Sequence, residues 1–422
     1  MTQKTGIENF VSGDWRILTI DEVKSSQPYS LVGGPFGSNL TSDDYVTAPG
    51  VPVIRGVNMG GKDSRFIDSK FAYVSESKAK SLAKNLAFPG DLVFTQRGTL
   101  GQVAEIPKDA SFPRYVISQS QMKLAVDKKI AFPRFIYHYF RSPLARAFLV
   151  RSVQATGVPH INLQILKQFP IPLPPLAEQR RIAAILDKAD AIRRKRQQAI
   201  QLTEQFLKSA FLEMFGDPVT NPKRWTTSKI DQICRIVRGS SPRPQGDARY
   251  YNGPVPRLMV ADITRDGWLV TPQIDSLTIE GAKKSRPVDA GTIVMAVSGN
   301  VGVVAELASD ACVHDGFVAF TDLRHQIILP KYLLLTLHFL KSTHESKKAG
   351  AIFQNLTTHD IKALEIPIPP IENQQNLVKV FTYINQLDEK LSQTHEQSKN
   401  LFNSLVQRAF RGELSSAEAI DT

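Results

Sequence analysis

Cysteine is scarce in this chain: Cys234 and Cys312 are the only two among its 422 residues. Two cysteines make neither a disulfide framework nor a zinc site, which favours a reducing compartment such as the cytoplasm. Long apolar runs are also missing, since none approaches the roughly 20 residues that span a bilayer. The opening residues, MTQKTGIENFVSGDW, contain no apolar signal core. The sequence therefore predicts a cytoplasmic protein without a membrane segment.

Sequence motifs for catalysis are absent as well. We find no GxxxxGKS or GxxxxGKT phosphate loop for ATP. The Asn-Pro nearest to an adenine methyltransferase motif, at 221–224, lacks the aromatic residue that would stack an extruded base. His160, His314 and His359 lie near Asp or Asn, but their spacings suit neither a metal site nor a catalytic triad. We expect no catalysis by this chain alone, and no cofactor or metal bound to it.

Positive charge, by contrast, is in excess. The 52 Lys and Arg residues outnumber the 40 Asp and Glu residues, which gives a net charge of +12 and a pI near 9.5. This charge fits a polyanionic partner such as nucleic acid, although many soluble proteins are basic for solubility alone. With 42% hydrophobic residues the chain is able to bury substantial cores, and its length predicts two to three domains.

The chain contains an internal repeat. IPLPPLAEQRRIAAIL begins at Ile171 and IPIPPIENQQNLVKVF begins at Ile366, 195 positions later, and Gln179 and Gln374 keep the same offset. Further back, GDLVFTQRGTLGQVAE (90–105) resembles GTIVMAVSGNVGVVAE (291–306), and VPVIRGVNM (51–59) resembles VPRLMVADI (255–263). Self-similarity on this scale predicts two similar half-molecules.

A long helix is predicted after each proline pair, because proline is favoured in a first helical turn. Neither segment contains Gly or Pro until Gly216 and Gly412. Steps of three and four residues trace an apolar seam through Ile182, Ile185, Ala189, Ile192, Arg196, Ala199, Thr203, Phe206 and Ala210. The second seam lies 195 positions on, at Leu377, Val380, Ile384, Leu387, Leu391, Thr394, Ser398, Leu401 and Leu405. We expect an antiparallel coiled coil of helices about 55–60 Å long. A coiled-coil dimerisation arm without a DNA role is the alternative.

The regions before the helices alternate short apolar strands with Gly- and Pro-rich turns and some helices, which predicts mixed α/β domains. Their loops carry side chains suited to DNA grooves and phosphates. The candidates are Asn39, Arg55, Asn58, Lys62, Arg65, Arg97, Arg238, Ser240, Arg243, Arg257, Arg265, Ser298 and Asn300. Arg193 and Arg194 in the first helix are further candidates, for contact with phosphates. Any one of these residues is also compatible with an ordinary solvated charge.

These features together resemble the specificity subunits of type I restriction-modification systems. The proline knots that lead into long helices carry the resemblance, together with FLEMFGDP (211–218) after the first helix and LVQRAFRGEL (405–414) after the second. GGPFGSNL (33–40) is similar to a loop of the family's target recognition domains. The resemblance covers nearly the whole chain. One departure is Gln375-Asn376 in place of Arg180-Arg181.

The resemblance implies a DNA-reading protein without catalysis of its own. Two target recognition domains would each read a few base pairs of double-stranded DNA on either side of an unread spacer. The paired helices would dock two methyltransferase subunits, which use S-adenosylmethionine to methylate adenine, and the assembly would recruit ATP-driven restriction subunits. S-adenosylmethionine, ATP and Mg would therefore belong to the partner subunits. The loops differ between the halves, so the target is expected to be bipartite and asymmetric.

The predicted fold class is α/β (α+β): two similar mixed α/β target recognition domains separated by two long antiparallel coiled-coil helices, with an internal pseudo-two-fold repeat. The predicted segments are the first target recognition domain at 1–168, the central proline knot and helix at 169–216, the second target recognition domain at 217–363, the C-terminal proline knot and helix at 364–414, and a tail at 415–422. Two other functions stay open. One is a stand-alone architectural DNA-binding coiled-coil adaptor, and the other is a specificity subunit for a fused methyltransferase-nuclease.

Overall fold

The computed structural model describes residues 15–47, 50–61, 64–99, 101–152, 160–346 and 357–414. The chain forms two compact units. Unit 1 consists of Met1–Ala199 and Leu391–Thr422, and unit 2 consists of Ile200–Lys390. Both boundaries fall inside long helices, so each unit combines a mixed α/β region with parts of both helices. None of the helices in the described ranges is long and apolar enough to cross a membrane.

Unit 1 contains eleven of the described strands. They are β1 (Arg16–Thr19), β2 (Leu31–Gly33), β3 (Tyr45–Val46), β4 (Val51–Ile54), β5 (Ala72–Val74), β6 (Leu86–Ala87), β7 (Leu92–Thr95), β8 (Val103–Glu105), β9 (Tyr115–Ile117), β10 (Gln121–Leu124) and β11 (Pro170–Leu173). One sheet has the order β2-β10-β7-β8, a second has the order β3-β5-β4-β9-β6, and β1 pairs with β11. Strands β4 and β9 run parallel, with Ile54 opposite Ile117.

Unit 2 contains the other eleven described strands. They are β12 (Thr227–Lys229), β13 (Arg235–Arg238), β14 (Tyr251–Leu258), β15 (Leu269–Val270), β16 (Asp275–Leu277), β17 (Arg286–Val288), β18 (Ile293–Ala296), β19 (Val304–Leu307), β20 (Ala311–Val313), β21 (Phe317–Thr321) and β22 (Glu365–Pro367). The sheet orders are β13-β21-β18-β19-β15 and β16-β14-β20-β17, and β12 pairs with β22.

The two units share one topology, which confirms the predicted internal repeat. The order β2-β10-β7-β8 of unit 1 recurs as β13-β21-β18-β19 in unit 2. The parallel pair β4 and β9 corresponds to the parallel pair β14 and β20, where Leu258 lies opposite Val313. The predicted mixed α/β fold class is therefore confirmed.

Short helices cover these sheets and two long ones follow them. The short helices are α1 (Ile20–Val23), α2 (Glu76–Ser81), α3 (Pro133–Phe140), α4 (Pro143–Ser152), α5 (Leu163–Lys167), α7 (Ile230–Ile233), α8 (Val260–Asp266), α9 (Ile279–Lys284), α10 (Pro330–Ser346) and α11 (Thr358–Ala363). The long helices are α6 (Leu176–Phe215) and α12 (Ile371–Arg411). Gly216 and Gly412 follow them at φ +80° and +75°, the left-handed conformation that ends many helices.

The long helices pack antiparallel within each unit, as predicted. In unit 1, Arg181 Nη2 donates to the Leu414 carbonyl oxygen at 2.8 Å, and Arg196 Nη1 donates to the Thr394 carbonyl oxygen at 2.6 Å. In unit 2, the Thr203 hydroxyl donates to Asp388 Oδ1 at 2.7 Å. As residue numbers rise along α6, the numbers of their partners on α12 fall.

The apolar seam is less continuous than predicted. Its outer positions, such as Ile182 and Leu405, are buried. Ile192 is 43% exposed and Phe206 is 61% exposed, as are their counterparts Leu387 and Leu401 at 40% and 56%. A strict seven-residue repeat drifts by about 20° per heptad around an ideal helix, so one seam cannot face the partner over forty residues.

A buried glutamine fastens the start of each long helix. Gln179 Oε1 accepts from the Phe132 backbone N–H at 2.8 Å, while Nε2 donates to the carbonyl oxygens of Pro174 and Ile130 at 2.9 and 3.3 Å. In unit 2, Gln374 makes the same three bonds to Leu329, Pro369 and Ile327, at 2.9, 2.8 and 2.9 Å. The conserved offset in the repeat therefore corresponds to one repeated structural joint.

Candidate nucleic-acid interface

In unit 1, the turn between β9 and β10, Ser118–Ser120, gathers three loops. The backbone N–H of Ser118 donates to the Ile54 carbonyl oxygen at 3.0 Å, directly before Arg55. The backbone N–H groups of Gln96 and Arg97 both donate to the Ser120 carbonyl oxygen, at 2.7 and 3.3 Å. Gln119 Nε2 donates to the Gly37 and Leu40 carbonyl oxygens at 2.7 and 2.6 Å, on either side of Asn39.

This arrangement brings three of the predicted residues to one edge of unit 1. Asn39, Arg55 and Arg97 are all exposed and reach this edge from different segments of the chain. Arg55 donates to the Lys70 carbonyl oxygen at 3.4 Å, and Arg97 forms an isolated β-bridge with His160. Arginine and asparagine side chains pair with guanine and adenine edges in the major groove. The edge therefore combines base-reading chemistry with positive charge.

Two other candidates of unit 1 have structural partners, and a third is not described. Asn58 is fully buried: its Oδ1 accepts from the Arg55 backbone N–H at 3.0 Å, and its Nδ2 donates to the carbonyl oxygens of Ile67 and Ser69. Arg65 Nη2 forms an ion pair with Asp187 on α6 at 2.9 Å. Lys62 lies outside the described residues. Asn58 and Arg65 thus shape the loop that carries Arg55.

A buried charge cluster connects this loop to α6. Asp187 accepts from Arg65, from Arg134 Nη1 at 3.0 Å and from His138 Nε2 at 2.6 Å. Arg134 also binds Glu105 through its Nε. His138 is completely enclosed, and burial lowers the pKa of its imidazole. The cluster fixes the position of the loop relative to the long helix.

In unit 2, the turn His314–Gly316 between β20 and β21 gathers the corresponding loops. The Ser240 backbone N–H donates to the Val313 carbonyl oxygen at 3.0 Å. Arg238 Nε donates to the Asp315 carbonyl oxygen at 3.2 Å, and Arg243 Nη2 lies 3.5 Å from the Asp315 carboxylate. Ser298 packs on Gly316 so closely that a Cβ there would be 2.4 Å from its hydroxyl oxygen. Four predicted residues therefore lie around one turn.

The remaining candidates of unit 2 lie on other segments. Arg257 is only 5% exposed, because it occupies the inward-facing strand position that Val53 holds in unit 1. It forms an ion pair with Asp275 at 2.6 Å. Arg265 is held at the end of α8 by Asp266 and Asp262. Asn300 Oδ1 accepts from Lys341 Nζ at 3.1 Å.

The two candidate phosphate-binding arginines on α6 share one buried carboxylate. Arg193 Nη2 lies 2.9 Å from Asp190 Oδ1, and its guanidinium lies over the Phe402 ring at 5.9 Å. Arg194 Nε lies 3.3 Å from Asp190 Oδ2, with a quarter of its side chain exposed. Arg193 is a packing residue of the helix pair, whereas the neighbouring Lys195 is exposed. Among the described residues, no group of three or more His, Cys, Asp or Glu is placed to hold a metal ion.

A sequence model of the type I restriction modification DNA specificity domain matches residues 39–203 and 222–400, most of each half. The chain belongs to the type I restriction modification DNA specificity family. The resemblance carried by the proline knots is thereby confirmed.

Curated relatives of this specificity-family chain agree. The putative type I restriction enzyme MjaX specificity subunit of Methanocaldococcus jannaschii is 24% identical, over 87% of this chain and 89% of that protein. The type I restriction enzyme EcoBI specificity subunit of Escherichia coli is 22% identical, over 78% of this chain and 74% of that protein.

Solved structures share the fold of this specificity-family chain. A chain from work on complex assembly and conformational transition of the type I R-M system superposes with a TM-score of 0.56 at 21% identity, covering 96% of this chain and 99% of that one. The type I restriction-modification system S subunit from M. genitalium gives a TM-score of 0.55 at 14% identity, covering 94% and 96%.

The sequence reasoning missed the residues that organise the two edges of this specificity-family chain. Gln119 and Asp315 each hold several loop segments, and Phe36 projects from the loop that Gln119 holds. The search for donors and acceptors passed over Phe36 because an aromatic residue in a loop is normally expected to pack. The repeat itself was the signal available for Gln119 and Asp315, since both lie in the turn before the strand shared by β10 and β21.

Proposed function

We propose that this chain is the DNA sequence-recognition subunit of a type I restriction-modification complex. One observation carries the proposal: two units of the same topology present different side chains at the same edge. Unit 1 presents Asn39, Arg55 and Arg97, and unit 2 presents Arg238, Arg243 and Ser298 around the equivalent turn. A shared scaffold with different reading residues suits a bipartite, asymmetric target in double-stranded DNA.

We further propose that the long helices dock the partner subunits. Exposed apolar side chains on α6 and α12, including Phe206, Tyr383 and Leu401, are 61%, 71% and 56% exposed. Apolar side chains exposed along a helix pair are suited to partner binding. The partners are two methyltransferase subunits and, in the full complex, restriction subunits. They supply catalysis with S-adenosylmethionine, ATP and Mg in the cytoplasm, while this chain supplies the sequence specificity.

Co-expression with a methyltransferase subunit from the same genome tests the proposal. Single-molecule sequencing of the host DNA would then map methylated adenines. We expect a bipartite motif with modified adenines on opposite strands, on either side of a fixed gap. A stable complex that methylates no motif would contradict the proposal and favour an architectural adaptor. Co-purification with a fused methyltransferase-nuclease would keep the specificity role but change the partner.

Variants of unit 1 assign the reading edge. Replacing both Arg55 and Arg97 by Ala should relax the motif at one half-site by about 1–3 kcal/mol per lost base contact and leave the other half-site unchanged. Arg114→Ala is a matched control, because Arg114 forms an ion pair with Glu76 instead of lying at the turn. Exchange of residues from about 15 to 167 for another reader should replace the same half-site. If either change altered both half-sites together, the two-reader arrangement would be wrong.

A further inference from the structure

Phe36 is the most exposed large apolar side chain among the described residues. Its relative exposure is 87%. A buried phenylalanine side chain stabilises a protein by roughly 1.5–3 kcal/mol relative to an exposed one, so this position forgoes stability. A ring that stands free of its own protein in this way is available for a partner.

The backbone on both sides of Phe36 is firmly held. Before the ring, Gly34 lies so close to the Ser118 carbonyl oxygen that a Cβ would be 2.1 Å away. After the ring, Gln119 Nε2 binds the Gly37 and Leu40 carbonyl oxygens. The Asn39 backbone N–H donates to the Phe36 carbonyl oxygen at 3.0 Å. The ring therefore projects from a fixed support, which reduces the conformational entropy lost on binding.

The surroundings of Phe36 favour nucleic acid over an apolar protein partner. Ser38 and Asn39 beside it are exposed and polar, and the turn that supports it also supports Arg55 and Arg97. A protein-binding patch would need a contiguous apolar surface with a desolvated centre. A single apolar wedge surrounded by basic and amide groups is instead the arrangement that DNA-bending proteins insert between base pairs.

Unit 2 has a different residue at the corresponding position. Gly239 contacts the His314 carbonyl oxygen as Gly34 contacts that of Ser118, with a Cβ distance of 1.9 Å. Two residues after Gly239 stands Ser241, whose hydroxyl donates to Asp315 Oδ1 at 2.6 Å. The ring is therefore specific to unit 1, and Phe36→Ser is the substitution that the chain itself uses at this place.

We propose that Phe36 enters the base stack of one half-site as an aromatic wedge. This inference rests on the proposed function, and it assigns a DNA-contacting residue that no polar pattern indicates. Stacking of a base on an aromatic side chain contributes roughly 1–3 kcal/mol, which corresponds to a change in affinity of about 5- to 150-fold. The wedge should therefore add affinity at one half-site and locally unstack the DNA.

The test uses the full chain in complex with its methyltransferase subunit, bound to duplexes that carry the mapped motif. The fluorescent adenine analogue 2-aminopurine, which brightens when unstacked, is placed at successive positions of the first half-site. Positions of methylated adenines are avoided, because a methyltransferase extrudes its own target base. We expect brightening at one base step with the wild-type complex. Phe36→Ser should abolish the brightening and weaken binding by about 5- to 150-fold, and Phe36→Trp should restore both.

Each other outcome overturns a defined statement. If the wild-type complex binds no duplex selectively, the proposed function fails. If the wild type binds and the Ser variant shows the same affinity and brightening, only the Phe36 inference fails. If affinity falls without brightening, and replacing one thymine by uracil has the same effect, Phe36 contacts a thymine methyl group and the wedge is refuted. Circular dichroism and Phe36→Leu, which keeps an apolar side chain, show whether the Ser variant has retained its fold.

Discussion

Replacement of Gln179 by Leu should destabilise unit 1 selectively. Leucine is similar in size but makes none of the three hydrogen bonds by which Gln179 fastens α6 to the segment before α3. Gln179 is 1% exposed, so water has little access to the groups that lose their partners. The Phe132 backbone N–H and the carbonyl oxygens of Pro174 and Ile130 would remain buried without these bonds.

The expected loss is about 3 kcal/mol, at about 1 kcal/mol for each buried hydrogen bond. For a unit of this size, each kcal/mol lowers the melting temperature by about 2–4 °C, so a shift of about 6–12 °C is expected for unit 1. Gln374→Leu should have the same effect on unit 2, because Gln374 makes the corresponding three bonds.

Hydrogen exchange read by mass spectrometry separates the two units. In Gln179→Leu, peptides that contain Phe132 should lose protection, while peptides of unit 2 keep theirs. The matched control is Gln198→Leu, because Gln198 is exposed on the same helix. A loss below about 1 kcal/mol, or equal loss of protection in both units, would refute the view that each glutamine is a local joint.

Two further predictions concern ionisable groups. Burial lowers the pKa of His338 to about 4. Because an unfolded histidine takes up its proton near pH 6.5, unit 2 should lose up to about 3 kcal/mol as the pH falls from 6.5 to 4. Denaturation at several pH values should show a smaller decline in His338→Phe, and equal declines would refute this cause. Arg193→Glu should cost at least about 3 kcal/mol of stability, because it places a second carboxylate beside buried Asp190. Lys195→Glu should keep the fold and weaken DNA binding equally on all sequences, with a salt dependence reduced by about one charge; a change at one half-site alone would contradict a phosphate contact.

The repeat and the long helices were predictable because their signals are local. Proline pairs that start a helix and glycines that end it act within a few residues, and α6 and α12 end directly before Gly216 and Gly412. The offset between Gln179 and Gln374 was visible in the sequence. Its meaning, three hydrogen bonds to a segment about 47 residues earlier, required the fold.

The reading edge was only partly predictable, because burial depends on pairing between distant strands. Arg257 looks like a loop arginine, yet it faces inward because β14 pairs in register with β16 and β20. Asn58 was chosen for its amide, which the loop itself uses. Phe36 was overlooked because exposure cannot be read from residue type.

The position of the unit boundaries inside the long helices has a consequence for synthesis. Unit 2 is continuous in the chain and has all its residues once Lys390 has been made. Unit 1 must wait for the last segment, since Phe410 packs against Phe135 and Tyr139 with ring centroids 5.3 Å apart in both cases. The half that leaves the ribosome first is therefore completed last. A stop codon directly after position 390 would leave unit 2 with all its residues and unit 1 with an open aromatic core, a target for chaperones and proteases.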